Sequence, residues 1–305
     1  MLYDVRDPSF LDLVDEGAAL EPIVTGLGIT EGTIWHKAGN YLVFSDLVAG
    51  IVHRWSEAEG DSVLRRPSNI TNGNFIDRRG RILSCEHSSN SVTRLESDGR
   101  RVTVLAHSYR GKALNSPNDI VVDSRDRIWF TDPTYGRTSP RVGILRPQDL
   151  PFQGVYRLDP DGTLTLVADD YLQPNGLCFS PDEKTLLIND TDRRHIRRYA
   201  VNDDGTLSGG EVFAETLGDG EGKPDGMKVD VAGNVYCTGP GGVHAFDPDG
   251  RLLGVIRMPE HTRNFCFGGP DGKSLFLAAS TTIFRLRMKI AGILPEILPD
   301  THTPS

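Results

Sequence analysis

The sequence predicts an all-β protein, a six-bladed β-propeller with four-stranded antiparallel blades. Three observations support this fold. One segment pattern occurs six times, its copies are 40 to 58 residues apart, and Asp-Gly and Pro-Asp-Gly turn signals separate many of the apolar runs. Helical periodicity is nearly absent, with one candidate at the start of the chain, where Asp7 can cap a short helix and Pro8 can occupy its first position.

The repeated segment consists of a polar residue, three mostly apolar residues, a small residue and a polar one. Its copies are YLVFSD (41–46), RILSCE (81–86), RIWFTD (127–132), TLLIND (185–190), NVYCTG (234–239) and SLFLAA (274–279). Measured at the second residue, they are 40, 46, 58, 49 and 40 residues apart. A propeller blade takes about 40 to 50 residues, so each copy marks one blade. A β-sandwich or jelly roll also has apolar runs and turns, but without six copies in step.

Each copy is followed by further strand candidates, which together account for the blades. The sixth copy lacks a fourth strand, whereas an unassigned strand-like segment, LEPIVTG (20–26), precedes the first copy. We therefore expect the N-terminal strand to complete the last blade and close the ring. The whole chain, 1–305, then forms a single domain, with a short helical segment at about 7–17 and a loop insertion at about 137–153 in blade three, which explains the longest spacing.

Composition and charge exclude several classes of function. The chain has 33 basic and 42 acidic residues and a net charge of −9, without a cluster of Lys and Arg that would attract phosphates. Nucleic acid and membrane are therefore not expected as partners, and no obligate protein partner is evident. The first 17 residues are interrupted by charges where a signal peptide needs an apolar stretch, so we expect a cytoplasmic protein. The four cysteines lack CxxC spacing and are expected to be buried thiols.

One position of the repeat carries oxygen-bearing side chains in all six blades. Ten or eleven residues before the second residue of each copy stand Glu31, Asn72, Asn118, Asn175, Asp225 and Asn264. The innermost strands of a propeller line its channel, so these side chains should meet at one mouth. Carboxylate and amide oxygens are the ligands of a hard divalent cation, and we predict that Glu31, Asn175 and Asp225 bind one. Asn and Asp before Gly are also turn formers, but Glu31 is not explained that way.

Other catalytic motifs are missing or weak. The sequence contains no HExxH motif and no GxSxG elbow. Glu86 ends the second copy and His87 follows it, so both should lie near the channel, although a histidine at a strand end is more often only hydrogen-bonded.

Five segments together resemble a known family, that of SMP-30 (regucalcin), gluconolactonases and luciferin-regenerating enzyme. They are EGTIW (31–35), TNGNFIDRRGRILSCEH (71–87), SPNDIVVDSRDRIWFTDPTYG (116–136), PNGLCFSPDEKTL (174–186) and PDGMKVDVAGNVYCTG (224–239). The resemblance covers roughly residues 20–290 and is greatest to bacterial gluconolactonases. It implies one divalent cation in the channel, with Glu31, Asn175 and Asp225 as ligands and Asp225 also as the base that activates water. Thr33 departs from the family's usual EGP.

The resemblance implies a metal-dependent hydrolase that opens sugar lactones, with a small-molecule sugar lactone as its partner. The cation is expected to be Ca²⁺, with Zn²⁺, Mn²⁺ and Mg²⁺ as alternatives. We expect Asn118, Glu86 and Tyr135 to contact the sugar hydroxyls, Asn118 being either a substrate contact or a further ligand. The insertion 137–153 is placed to cover the site. Two alternatives are a calcium-dependent phosphotriesterase or arylesterase, as in similar propellers, and a non-enzymatic binding propeller with a structural cation.

Overall fold

The strands of the computed structural model, which describes residues 1–298, form six antiparallel blades. Before the first blade the chain contains strand β1, a 3₁₀ helix and strand β2, at Tyr3–Val5, Pro8–Asp12 and Glu21–Thr25. The strands of the first three blades follow in chain order, each blade from the innermost strand outward. Blade one has β3 (Thr30–His36), β4 (Tyr41–Asp46), β5 (Ile51–Ser56) and β6 (Gly60–Arg65). Blade two has β7 (Thr71–Ile76), β8 (Ile82–Glu86), β9 (Ser91–Leu95) and β10 (Val102–Ala106). A small hairpin, β11 (Ser108–Tyr109) and β12 (Lys112–Ala113), leads to blade three, which has β13 (Ile120–Val122), β14 (Ile128–Asp132), helix α1 (Tyr135–Thr138), β15 (Gln153–Leu158) and β16 (Leu164–Tyr171).

The last three blades follow the same order from the channel outward. Blade four has β17 (Pro174–Phe179), β18 (Thr185–Asp190), β19 (His195–Val201) and β20 (Leu207–Glu215). Blade five has β21 (Met227–Val229), β22 (Val235–Gly239), β23 (Gly242–Phe246) and β24 (Leu252–Arg257). Blade six has β25 (Thr262–Gly268), β26 (Ser274–Ala279) and β27 (Thr282–Arg287). The six-bladed propeller is thus confirmed, and each repeated segment is the second strand of its blade.

Strand β2 pairs antiparallel with β27 and supplies the fourth strand of blade six, as the sequence predicts. Strand β1 was not predicted. It adds a fifth strand to blade five by pairing with β24, with Tyr3 opposite Ile256.

The N-terminal segment expected to be helical, 7–17, contains only the short 3₁₀ helix. Asp7 Oδ1 accepts a hydrogen bond from the backbone N–H of Ser9 at 3.0 Å, as an N-cap does, and Pro8 follows it. Phe10 is fully buried against blade five, where it packs with Leu253 and Ile256. The buried Phe10 side chain holds the 3₁₀ helix against blade five. The helix ends at Asp12.

Apolar side chains fill the space between neighbouring blades all the way around the ring. Within residues 1–298, one buried cluster lies at each of the six blade interfaces. Trp35 of blade one stacks on Phe276 of blade six at 5.2 Å between ring centroids, and Trp129 of blade three meets Phe179 of blade four edge-on at 5.7 Å. Such aromatic pairs stabilise the interfaces beyond the area they bury.

The insertion of blade three is an irregular segment, 139–152, between α1 and β15. Its position is fixed by Arg137, whose buried guanidinium donates to the backbone carbonyls of Asn115 at 2.8 Å and Leu114 at 2.6 Å, and also to that of Pro147. The loop therefore lies folded against the blade.

The last described residues run across the end of the channel where the first and second strands of the blades are joined. The backbone N–H of Ile293 donates to Val229 O at 3.1 Å, and that of Leu298 donates to Arg78 O at 2.8 Å. Within residues 1–298, no helix has the length and apolar character needed to span a bilayer.

Candidate functional site

A polar cavity of about 230 Å³ lies at one mouth of the channel, where the innermost strands begin. Five of the six residues at the predicted repeat position line it: Glu31, Asn72, Asn118, Asn175 and Asp225. The sixth, Asn264, is not part of the lining. Its Oδ1 accepts from the backbone N–H of Phe265 at 2.9 Å and lies 3.5 Å from Lys228 Nζ.

The glycines that follow these residues allow the innermost strands to approach one another. A Cβ on Gly32 would lie 2.0 Å from the carbonyl oxygen of Asn72, and a Cβ on Gly176 would lie 2.0 Å from that of Asp225. Gly73 donates its N–H to Asn118 O at 2.8 Å. The Asn-Gly and Asp-Gly pairs are therefore packing features of the channel, and they bring the polar side chains of successive blades together.

The two carboxyl groups of the cavity share a buried environment that opposes their ionisation. Burial raises the pKa of Glu31 to about 7, against the opposing effect of the Arg263 charge. Burial, and then the negative charge of Glu31, raise the pKa of Asp225 well above its usual range. Two buried like charges in one cavity are unfavourable, so this site needs additional positive charge before both groups can ionise.

The amide of Asn175 presents its oxygen to the cavity. Its Nδ2 donates to Thr191 Oγ1 at 3.1 Å, and the Thr191 hydroxyl in turn donates to Pro224 O at 2.7 Å. Within residues 1–298, neither Asn175 Oδ1 nor Asn72 Oδ1 has a hydrogen-bond partner, although both atoms are buried. A buried carbonyl oxygen without a donor is costly, and a cation is one group that would satisfy it.

The donors of this cavity fit a hard divalent cation. Two carboxylates and unpartnered amide oxygens provide only oxygen ligands, as Ca²⁺ prefers. Residues 1–298 contain no group of three His, Cys, Asp or Glu side chains placed to hold a metal, so Asn oxygens would have to complete the ligand set of a cation. Glu31, Asn175 and Asp225, the predicted ligands, line this one cavity together with Asn118.

The structure brings Tyr135 into the cavity but not Glu86. Tyr135 Oη is buried and without a partner in the described part of the chain, and burial raises the pKa of this phenol above its usual value, so it stays protonated.

Glu86 is wrongly placed by the sequence prediction, because its carboxylate is occupied inside blade two. It accepts from Arg65, from Asn69 Nδ2 at 2.8 Å, from Ser89 Oγ at 2.6 Å and from Thr93 Oγ1 at 2.7 Å. With all four of its lone pairs used by these donors, the Glu86 carboxylate is not available to a substrate. The next residue, His87, lines the cavity instead.

Three cationic or imidazole side chains at the cavity were not predicted: Lys223, His261 and Arg263. Arg263 directly precedes Asn264, so the repeat position pointed to within one residue of it. Burial and the charge of Arg263 lower the pKa of His261 to about 4, so its ring is neutral near pH 7. Lys223 pairs with Asp192 at 3.0 Å. The sequence contains no local signal for Lys223 and His261, because their common location follows from the ring closure.

The fold and the site together define a six-bladed β-propeller whose channel mouth is lined by acidic and amide side chains. The chain belongs to the family described as SMP-30/gluconolactonase/LRE-like, whose model matches residues 29–281.

Individual relatives agree with this assignment. The chain is 32% identical to a gluconolactonase of Zymomonas mobilis subsp. mobilis over 304 residues, covering 92% of this chain and 84% of the relative. It is 29% identical to the pentonolactonase XacC of Haloferax volcanii, covering 84% and 83%. The solved structure of a gluconolactonase of Xanthomonas campestris superimposes with a TM-score of 0.88 at 36% identity, covering 94% of this chain and 95% of that one.

Proposed function

We propose that this protein is a metal-dependent hydrolase that opens sugar lactones. The observation that carries the proposal is the pair of carboxyl groups, Glu31 and Asp225, beside unpartnered Asn oxygens in one cavity. The relatives named gluconolactonase and pentonolactonase support a sugar lactone as the substrate. Asn118, Tyr135 and His87 supply polar groups for its hydroxyls.

Glu31, Asn175 and Asp225 would hold the cation, in our proposal Ca²⁺, with Asn118 as a further ligand or a substrate contact. When bound, the cation supplies Lewis-acid polarisation of the lactone carbonyl and positive charge for the developing oxyanion.

The side chains of this chain carry out the remaining steps. A carboxylate oxygen of Asp225 accepts the proton of the attacking water, as a general base, and returns it to the ring oxygen as the acyl C–O bond breaks and the lactone opens. The Arg263 guanidinium, whose charge acts on both Glu31 and Asp225, adds to the positive field in which the oxyanion forms. Tyr135 Oη, which keeps its proton, donates a hydrogen bond to an oxygen of the sugar. Aldonolactones are reactive esters, so this modest assistance is sufficient.

Replacement of Asp225 by Asn tests the proposal. D225N should lower kcat/KM for D-glucono-1,5-lactone by roughly 10³-fold, because both a ligand and the base are lost. The matched control is Asp230→Asn. Asp230 is a fully buried aspartate in the same blade that binds Asn234 and Tyr236, so D230N should lose stability and keep its turnover per folded molecule.

Exhaustive chelation should abolish hydrolysis and added Ca²⁺ should restore it. Turnover of D225N within tenfold of the wild type contradicts the assignment of Asp225, and activity that resists chelation contradicts metal catalysis. Hydrolysis of organophosphates in preference to lactones would assign the site to phosphotriesters.

A further inference from the structure

We propose that His87 is a specificity-determining residue whose Nε2 accepts a hydrogen bond from a hydroxyl group of the lactone. It would thereby select hydroxylated lactones over plain aliphatic ones. This inference rests on the proposed lactone hydrolysis and deepens it by naming an atom that distinguishes substrates.

The tautomer of the His87 ring follows from its contact with the insertion loop. Nδ1 lies 2.7 Å from the carbonyl oxygen of Val142. A carbonyl can only accept, so Nδ1 carries the hydrogen and donates it. Burial, together with the charge of Arg146, lowers the pKa of His87 to about 4, so the ring is neutral near pH 7. Nε2 is then a bare acceptor.

This acceptor has no donor within residues 1–298. His87 is fully buried, its Nε2 is unpartnered, and the residue lines the cavity with Asn118 and Tyr135. An unmade hydrogen bond at a buried polar atom is unfavourable. A hydroxyl-bearing ligand in the cavity provides the missing donor.

The ring is held in place from two sides. A Cβ on Gly136 would lie 2.7 Å from His87 Cβ, and a Cβ on Gly143 would lie 2.0 Å from Gly136 O, so both glycines permit contacts that no other residue could make. The N–H of Ile144 donates to Gly136 O at 2.8 Å, and Arg146 Nη2 donates to His87 O at 2.5 Å. The insertion loop thus fixes the direction of the Nε2 lone pair.

Recognition explains this geometry better than proton transfer. An imidazole with a pKa of about 4 is no stronger a base than an ordinary carboxylate, and a carboxylate is already present in Asp225. A neutral and immobile acceptor such as His87 Nε2 is instead suited to binding a hydroxyl group of the substrate. Sites built to pair with a substrate hydroxyl discriminate strongly against analogues that lack it.

Two matched variants separate recognition from anchoring of the loop. His87→Asn keeps a donor near the position of Nδ1, toward Val142 O, but removes the Nε2 acceptor. His87→Gln can place an amide oxygen near the position of Nε2 but loses the anchor. The substrates are D-glucono-1,5-lactone and δ-valerolactone, which has the same ring without hydroxyls.

H87N should lower kcat/KM for gluconolactone by about 100-fold and change kcat/KM for valerolactone by less than about threefold. H87Q should keep kcat/KM for gluconolactone within about tenfold of the wild-type value. Binding of D-gluconate, measured by calorimetry, should weaken in H87N more than in H87Q. Should H87N fail to fold, His87→Phe, which retains a ring without nitrogen, is expected to show the same substrate-dependent loss.

Equal losses for both lactones would overturn the inference in favour of a structural role, as would unchanged kinetics of H87N. Wild-type protein that hydrolyses neither lactone contradicts the proposed function itself. The gluconate titration then still decides the role of His87, because unchanged or undetectable gluconate binding counts against it.

Discussion

Asn175 can act as a ligand because Thr191 decides which of its two amide atoms faces the cavity. The Thr191 hydroxyl accepts from Asn175 Nδ2 and donates to the carbonyl of Pro224, the residue before Asp225. One hydroxyl therefore orients one proposed ligand and contacts the backbone beside another. Partners of this kind commonly contribute as much to cation affinity as a weak ligand does.

Replacing Thr191 with Val, of nearly the same shape, should weaken cation binding by about 10- to 100-fold, because the Asn175 amide is no longer oriented. Calorimetric titration of the chelated protein with Ca²⁺ measures this change. Thr216→Val is the matched control, since Thr216 is also buried but its hydroxyl donates to Arg194 O, away from the cavity. Equal cation affinities of T191V and T216V would contradict the role of Thr191.

Glu86 and His87 are neighbours in sequence, but only His87 lines the cavity, and this difference shows the limit of prediction at single residues. The repeat places both at the end of β8 beside the channel, which the structure bears out for the backbone. The partners that occupy Glu86, among them Arg65 on β6 of blade one, come from elements whose contact follows from the assembled ring. The loop carbonyl that orients His87, Val142 O, is 55 residues away in the chain. Sequence spacing alone contains neither contact.

At the scale of elements, the innermost strands can lie close together because of Asn-Gly pairs, which are also typical of turns in sequence. Asn175-Gly176 lies within β17, and the carbonyl of Asp225 occupies the space that a Cβ of residue 176 would need. Glycine is required there by packing, since its backbone is not in the left-handed region. The pattern predicted where polar residues meet, but the reason for glycine became apparent only with the neighbouring blade in place.

Gly176→Ala should destabilise the protein by roughly 2 to 3 kcal/mol, because the added methyl displaces the backbone of Asp225, which precedes β21. Urea unfolding measures this change, and the same variant should bind Ca²⁺ more weakly. Gly17→Ala is the control: its Cβ would meet nothing closer than Asp15 Oδ1 at 3.5 Å, so stability should stay within about 1 kcal/mol of the wild type. A G176A variant as stable as G17A would contradict the packing argument.

For the whole molecule, the periodicity of the second strands was sufficient to predict the blade number and the closing strand. Strand β1 was missed because it is only three residues long and pairs with β24, some 250 residues away. The tail across the far end of the channel has no repeat counterpart, and Leu298 is held there by a backbone contact to Arg78 in blade two. The repeat predicts the ring of blades. Strand β1 and the C-terminal tail lie outside the repeat, and their positions depend on contacts between distant parts of the chain.

Because the carboxyl groups of Glu31 and Asp225 share one cavity, the stability of the whole propeller should depend on both pH and the cation. Without a cation, the pKa of Glu31 is about 7 in the folded chain, above its usual value of 4.5. A raised carboxyl pKa stabilises the fold at low pH, and this contribution is lost as pH rises from about 4.5 through 7, on the order of 3 kcal/mol in all. The buried, neutral His87 and His261 act in the opposite direction, because their lowered pKa values favour the fold at the higher pH. The contribution of Glu31 is therefore measured as the difference in Tm between the wild type and Glu31→Gln: in chelator, the wild type should lose more stability than the variant from pH 5 to pH 7.5, and Ca²⁺ should raise the Tm of the wild type more at pH 7.5.

Glu31→Gln provides the internal control for this linkage, because it removes one of the two like charges and one ligand. In the presence of chelator at pH 7.5, E31Q should be more stable than the wild type, since Asp225 then ionises without a neighbouring carboxylate. Added Ca²⁺ should reverse the order, stabilising the wild type and leaving E31Q nearly unchanged. Differential scanning calorimetry at pH 5 and 7.5 measures all of these states. If Ca²⁺ shifts the Tm of the wild type and E31Q equally, the cation does not bind between Glu31 and Asp225.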